Sequence, residues 1–356
     1  MRKHIKRIAA VAFGAALAAG TLTACGNEGG GGSGGEAVKI GLLLPETKTA
    51  RYEAFDKPLF EEKLKSLGNY EVVYSNADQD AAKQQQQAES ALAAGIKVLV
   101  LDPVDAASAG SIVNAAAAQD VPVVSYDRLI AGGGLDYYVS FDNEKVGMLQ
   151  GTALVDELTS RGKADGGILM VNGSPTDSNA AQFKKGAHTA IDASNLKVLG
   201  EFDTPDWSPD KAQTWVEGQI SQHGDAIDGV YAANDGTAGG AVAALKAANA
   251  DPWPVITGQD AELAGIQRIV AGDQFMTVYK AIKPEAELAA TVADQLARGE
   301  TPEGKTTVEG TPSTLLEPVV VTKENVMDTV VADGFWTVDQ ICTAQYEAAC
   351  AEAGIK

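Results

Sequence analysis

From Val38 onward, short apolar runs alternate with longer segments of helical periodicity. "VKIGLLL", "YEVVY", "KVLVLD", "VPVVSY" and "YYVSF" are the first five runs. Their length suits strands, and their near-continuous apolar character predicts burial on both faces. Between them lie Ala-rich segments such as "DAAKQQQQAESALAAG" and "DAASAGSIVNAAAAQD". The first puts Ala88, Ala91 and Leu92 on one helix face and meets a stop signal at Gly95. Strand–helix alternation at this spacing predicts a parallel sheet with helices on both faces.

The pattern then restarts. "GGILMVN", "LKVLGEF", "GVYAAND" and "PVITGQD" read as strands, each followed by a helical segment, and "MTVYK" closes the series. Two successive sets of similar size predict two α/β lobes, each a doubly wound parallel sheet. The break falls near Asn143, where "SFDNEKVG" turns from strand to helix. A late strand-like run, "LLEPVVVT", implies that the chain crosses between the lobes more than once.

In open α/β sheets, ligands bind beyond the carboxyl ends of the strands. The fourth run ends in Asp127 and Arg128, and the fifth in Asp142 and Asn143. Further on stand Asp177 and Asn179, Trp207, Asn234 and Asp235, Gln259 and Asp260, and Lys280. Together these groups suit a neutral polyol. A carboxylate accepts from two adjacent hydroxyls, an amide donates and accepts, and Arg offers a planar fork of donors. A flat ring such as that of Trp207 covers the C–H face of a pyranose. The plain alternative for an Asp or Asn at such a position is a helix N-cap. It stays open for Asp142 and Asp235 and is closed to Arg128 and Lys280.

Composition narrows the classes. The 356 residues are 45% hydrophobic, enough for two cores. Lys and Arg total 28 against 48 Asp and Glu, a net charge of -20. That charge disfavours nucleic acid or an anionic membrane surface as the main partner. Catalytic signals are poor, with neither a phosphate-binding Gly-Lys loop nor a Gly-x-Ser-x-Gly elbow. His188 falls in a helical segment beside Lys184 and Lys185 and reads as a surface residue. "NADQDAAKQQQQ" starts like a calcium loop at Asn76, Asp78 and Asp80 but lacks the Gly and Glu that complete one. No metal and no cofactor are expected.

The N-terminus predicts export. "MRKHIKR" is a positive region, "IAAVAFGAALAAG" a short apolar one, and "TLTAC" ends at Cys25. Leu22 to Cys25 resembles a bacterial lipobox, which implies cleavage before Cys25 and a lipid anchor on it. "GNEGGGGSGGE" then reads as a flexible tether. Cys342 and Cys350, a close pair in an exported chain, are expected to form a disulfide.

"VVSYDRLI", "YYVSFDNEKVG", "NGSPTDSNAAQF", "AANDGTAGGA", "GQDAELAGIQRI" and "MTVYK" together closely resemble the xylose-binding proteins of sugar ABC transporters. These belong to the type I periplasmic binding protein family. The resemblance runs from about Lys39 to Phe335, with six motifs in the same order. It implies two lobes joined by a three-crossing hinge that close on one monosaccharide. The implied division is a signal peptide at 1–24, a tether at 25–36, a first lobe at 37–143 and 282–313, and a second at 144–281 and 314–356. The implied ligand set is Arg51, Tyr52, Asp127, Arg128, Asp177, Asn179, Trp207, Asn234, Asp260 and Lys280. Tyr52 stands where the family has Trp, and Ser178 where it usually has Asn. Strand-end logic alone does not select Arg51, and it over-selects Asp142.

The expectation is therefore a lipid-anchored, monomeric binding protein on the outer face of the cytoplasmic membrane, not an enzyme. It presents a monosaccharide to an ABC permease, with D-xylose ahead of glucose, arabinose or ribose. A sugar receptor feeding a signalling partner is the alternative. A transcription-regulator effector domain would need a DNA-binding segment where the signal and tether stand. A glycosidase would need a protonated carboxyl, and cations beside Asp127 and Asp260 oppose that.

Overall fold

The computed structural model describes residues 36–355. The expected signal peptide, Cys25 and all but the last residue of the tether lie outside them. Among the described residues no helix is long and apolar enough to cross a membrane.

The first lobe opens with β1 (Val38–Leu44), α1 (Lys57–Leu67), β2 (Tyr70–Asn76), α2 (Ala81–Ala93), β3 (Val98–Leu101), α3 (Gly110–Ala117), β4 (Val123–Tyr126) and β5 (Tyr137–Phe141). The second contains α4 (Asn143–Ser160), β6 (Gly167–Asn172), α5 (Ser178–Ile191), β7 (Lys197–Asp203), α6 (Pro209–His223), β8 (Ile227–Ala232), α7 (Asp235–Ala247), β9 (Val255–Ile256), α8 (Leu263–Ala271) and β10 (Met276–Tyr279). The chain returns to the first lobe through α9 (Ile282–Ala297), β11 (Thr306–Val308) and β12 (Thr311–Leu316). It ends in the second with β13 (Val319–Thr322), α10 (Val338–Ile341) and α11 (Glu347–Glu352).

The first sheet runs β11-β12-β5-β4-β3-β1-β2, parallel except for β11. The second runs β7-β6-β8-β9, all parallel. The antiparallel pair β10-β13 joins it through a bridge between Gln259 and Val278. Central strands β3, β4, β5 and β6 are buried throughout, whereas the edge strands β2 and β7 are half exposed. Each sheet carries an apolar layer on both faces. Phe60, Leu64 and Ala289 cover one face of the first sheet, and Leu92, Ile112 and Val113 the other. Phe183 and Leu154 cover one face of the second, and Val216 and Leu245 the other. The doubly wound expectation thus holds in both lobes.

Sequence reading and structure part company at "LLEPVVVT". It is not one strand. Leu315 and Leu316 end β12 in the first sheet, paired with Ser140 and Phe141, while Val319 opens β13 in the second lobe. The expected lobe boundary at 313/314 therefore moves to Glu317 and Pro318. Pro is suited to such a break because it fixes its φ and donates no ladder hydrogen bond. The C-terminal segment packs on α8 through Val326, Val330 and Ile341. Cys342 and Cys350 are joined as a disulfide within it.

One helix contact is especially close. A Cβ on Gly147 of α4 would lie 1.8 Å from Phe183 O, and one on Gly186 of α5 would lie 1.9 Å from Glu144 O. Only glycine at these places lets the two helix backbones touch, which holds the middle of α5 closely against α4.

Candidate sugar-binding site

All ten residues of the expected ligand set line one cavity between the lobes, joined by Thr49, Phe183 and Gln259. Its free space is small, about 20 Å³ for the centre of a water-sized sphere, because side chains from both lobes meet across it. None of the ten is more than 7% exposed.

Asp127 and Arg128 follow β4, but their side chains diverge. Asp127 has φ +56°, in the left-handed region, a conformation that costs a non-glycine residue about 1–3 kcal/mol. Buried Ser125 braces the turn: its hydroxyl donates to Arg128 O at 2.6 Å and accepts from Ile130 N at 3.0 Å. Asp127 then accepts from Arg51 Nη1, while Arg128 reaches toward the second lobe. The neighbours do not pair with each other. Burial disfavours the Asp127 carboxylate, but Arg51, Lys280 and Arg128 outweigh it and hold its pKa below the ordinary Asp value.

Arg51 precedes a wide helical turn, Tyr52–Asp56, that runs into α1. Such turns are frequent at functional sites. Here the turn brings Asp56 under the guanidinium, at 2.7 and 3.0 Å. Glu285, on α9, adds a third carboxylate at 2.7 Å. Burial opposes the charge on Arg51, yet Asp127, Asp56 and Glu285 together raise its pKa well above normal.

Two side-chain pairs cross the cleft. Arg128 Nε lies 3.0 Å from Asp177 Oδ2, and Asn179 Nδ2 donates to Asp127 Oδ1 at 2.7 Å. Beneath Arg128, Asp102 is fully buried, and neither of its oxygens accepts a hydrogen bond. Burial pushes its pKa up against the pull of Arg128. Tyr52 OH accepts from Arg128 Nη2 at 3.2 Å.

The second lobe builds its side on helix starts and turns. Asp177 caps α5 and also accepts from Trp207 Nε1 at 2.9 Å. Asn234 caps α7 with its Oδ1. The N-cap role and the cavity position therefore coexist in both residues. Trp207 (φ +53°) and Asp260 (φ +91°) sit on strained turns. Lys280 follows β10 just before the chain returns to the first lobe. It lies 3.1 Å from Asp260 and over the rings of Phe141 and Phe183. Burial opposes its charge, but Asp260 and Asp127 raise its pKa. The cavity presents unsatisfied acceptors at Asn179 Oδ1 and Gln259 Oε1.

The over-selected strand-end residues fall elsewhere. Asp142 caps α4 by accepting from Lys145 N, and Asp235 is buried under the turn that bears Asp260. Several residues were missed. Phe183 stands four after Asn179 on α5, a spacing that places both on one helix face. Asp102 follows β3 and is open to the same strand-end reading as Asp127. Asp56 lies five residues from Arg51, a spacing that only the wide turn brings together. Glu285 is 234 positions away from Arg51, beyond any local signal.

A model described as a periplasmic binding protein domain matches residues 40–301. The chain belongs to the periplasmic binding protein family. It is 39% identical over 306 residues to the D-xylose-binding periplasmic protein of Escherichia coli, covering 84% of this chain and 91% of that one. It is 32% identical to the multiple sugar-binding periplasmic receptor ChvE of Rhizobium radiobacter, covering 85% and 92%. Among solved structures, an ABC transporter solute-binding protein of Clostridium phytofermentans with bound β-D-glucose superimposes with a TM-score of 0.79 at 29% identity, covering 85% and 99%.

Proposed function

We propose that the protein is an extracytoplasmic sugar-binding protein of an ABC importer. It binds one monosaccharide, D-xylose first, between its lobes and hands it to a membrane permease. The observation that carries this reading is the convergence of donors and acceptors from both lobes on one buried cavity, tied across by Arg128–Asp177 and Asn179–Asp127. The ten residues of the expected set are its ligand contacts in this reading. A sugar touching both sides favours the closed arrangement, since only differential affinity moves such a balance. Three crossings, near Asn143, Lys280 and Glu317, act as the hinge. The likeness to the D-xylose-binding protein supports xylose.

The lipobox-like Leu22 to Cys25 supports a lipid anchor, and the protein works as a monomer. No bond of the sugar is made or broken in this reading, and the three cations around Asp127 hold its pKa below the ordinary Asp value, which disfavours it as a proton donor. Calorimetry against a panel of monosaccharides tests the proposal. D-xylose should bind most tightly in a single-site titration. Absence of binding by every sugar on the panel overturns it.

A further inference from the structure

Phe55 projects from the same turn that follows Arg51 and Tyr52 in the first lobe. Its ring stacks on Phe335 with centroids 4.2 Å apart and meets Trp336 edge-on at 5.1 Å. Both partners belong to the C-terminal segment, which packs on the second lobe beside Tyr279. Trp336 Nε1 also donates to Ala261 O at 2.7 Å. Ala261 follows Asp260, and both have positive φ. The aromatic cluster thus joins two cavity-bearing turns from opposite lobes, Arg51–Asp56 and Asp260–Ala261. At another point the lobes are tied by Ala106 N donating to Thr176 O at 3.0 Å.

We propose that Phe55, Phe335 and Trp336 form an inter-lobe latch that lengthens the stay of the bound sugar. The inference rests on the sugar-binding reading. All three rings are half-buried, and separating the lobes would take the Phe55 face out of contact and into water. None of the three lines the cavity, so the latch acts on closure rather than on the sugar. Such a device slows release and leaves encounter nearly untouched, since affinity differences within one interface reside mostly in dissociation.

Phe55→Ala is the direct test, because Phe55 lies in the lobe opposite the C-terminal segment and its loss leaves that segment on α8. Stopped-flow with D-xylose on the full-length protein should give a dissociation rate about tenfold faster, as expected when aromatic pairs are lost. Association should change less than twofold. Phe55→Tyr should restore slow release. Phe335→Ala should also speed release, and the double variant should release no faster than the faster single variant, the signature of coupled partners. Unchanged dissociation in Phe55→Ala, or additive effects in the double variant, overturns the latch and leaves the sugar-binding reading intact. A wild-type protein that binds no monosaccharide overturns that reading instead. The latch is then judged by small-angle scattering alone. A larger radius of gyration in Phe55→Ala supports it, and an unchanged one overturns it.

Discussion

Arg128 Nε lies 3.0 Å from Asp177 Oδ2, so a cation from the end of β4 meets a carboxylate from the start of α5 across the cleft. Asp102 lies behind the same guanidinium, 3.5 Å from Nε and fully buried. Arg128 therefore serves two ends at once, holding a buried carboxyl and closing the lobes around the cavity.

Its replacement separates these roles. Arg128→Ala strands buried Asp177 without its cation, and breaking a buried pair in this way costs about 3–5 kcal/mol. That variant should lose both stability and tight sugar binding. Arg128→Lys keeps the charge but not the planar fork. It should retain most of the stability while binding weakens by about 1.5–3 kcal/mol, the worth of a hydrogen bond to a charged group. Thermal melts beside calorimetry decide the matter. Wild-type affinity in Arg128→Lys would remove the guanidinium from the ligand set.

Glu285 offers a second test. It reaches Arg51 from α9, the helix that follows a lobe crossing, at 2.7 Å. Arg51 keeps Asp56 and Asp127 when Glu285 is removed, so the loss is smaller than that of a sole partner. Glu285→Ala should cost about 1–3 kcal/mol in chemical denaturation. Sugar affinity should fall less than in Arg51→Ala. Equal losses in the two variants would mean that Arg51 acts only through Glu285.

Much of this was legible in the sequence because strands buried on both faces advertise themselves. β1, β3, β4 and β6 are near-continuous apolar runs, and polar residues in the loops after β4, β6 and β9 line the cleft. That logic reached Asp127, Asp177 and Asp260 directly. It failed where geometry is not set by strand ends. Arg51 sits ahead of a wide turn and came only from family resemblance. Asp56 needs that turn to reach it, and Glu285 needs the whole topology. At Asp142 the same polar signal served only to cap a helix. "LLEPVVVT" misled because local apolar character does not say which sheet a residue joins.

Gly173 gives a prediction at a residue outside the ligand set. It follows β6, and a Cβ there would lie 2.0 Å from Trp207 Cη2 and 2.3 Å from Cζ2. Trp207 has little freedom to move away. It is buried, packs edge-on to Phe183 with centroids 6.3 Å apart, and is tied to Asp177 through Nε1. Gly173→Ala should therefore push the indole into the cavity or break its bond to Asp177. Affinity for D-xylose should fall about tenfold or more, in line with overpacking costs of about 1–3 kcal/mol. Restored affinity in Gly173→Ala/Trp207→Phe would identify the clash as the cause. An unchanged affinity in Gly173→Ala alone would place the ring outside the binding surface.

Asp235 supplies a pH dependence with a definite sign. It is fully buried, and its oxygens accept from Gln274 Nε2 at 2.7 Å, Glu262 N at 2.9 Å and Thr277 Oγ1 at 3.1 Å. Burial raises its pKa to about 7 against the opposing pull of Arg268. A folded carboxyl that holds its proton more tightly than the unfolded one stabilises the fold below the unfolded pKa. That contribution is lost as pH rises through the folded value. From this group alone, wild-type stability should decline between about pH 4 and pH 7, by about 4 kcal/mol at most. Asp235→Asn cannot ionise, so the difference in melting temperature between wild type and variant should fall across that window and level off on either side. Sugar affinity should change little, since Asp235 does not line the cavity. A difference that stays constant from pH 4 to pH 8 would mean that the carboxyl is ionised in the folded protein throughout.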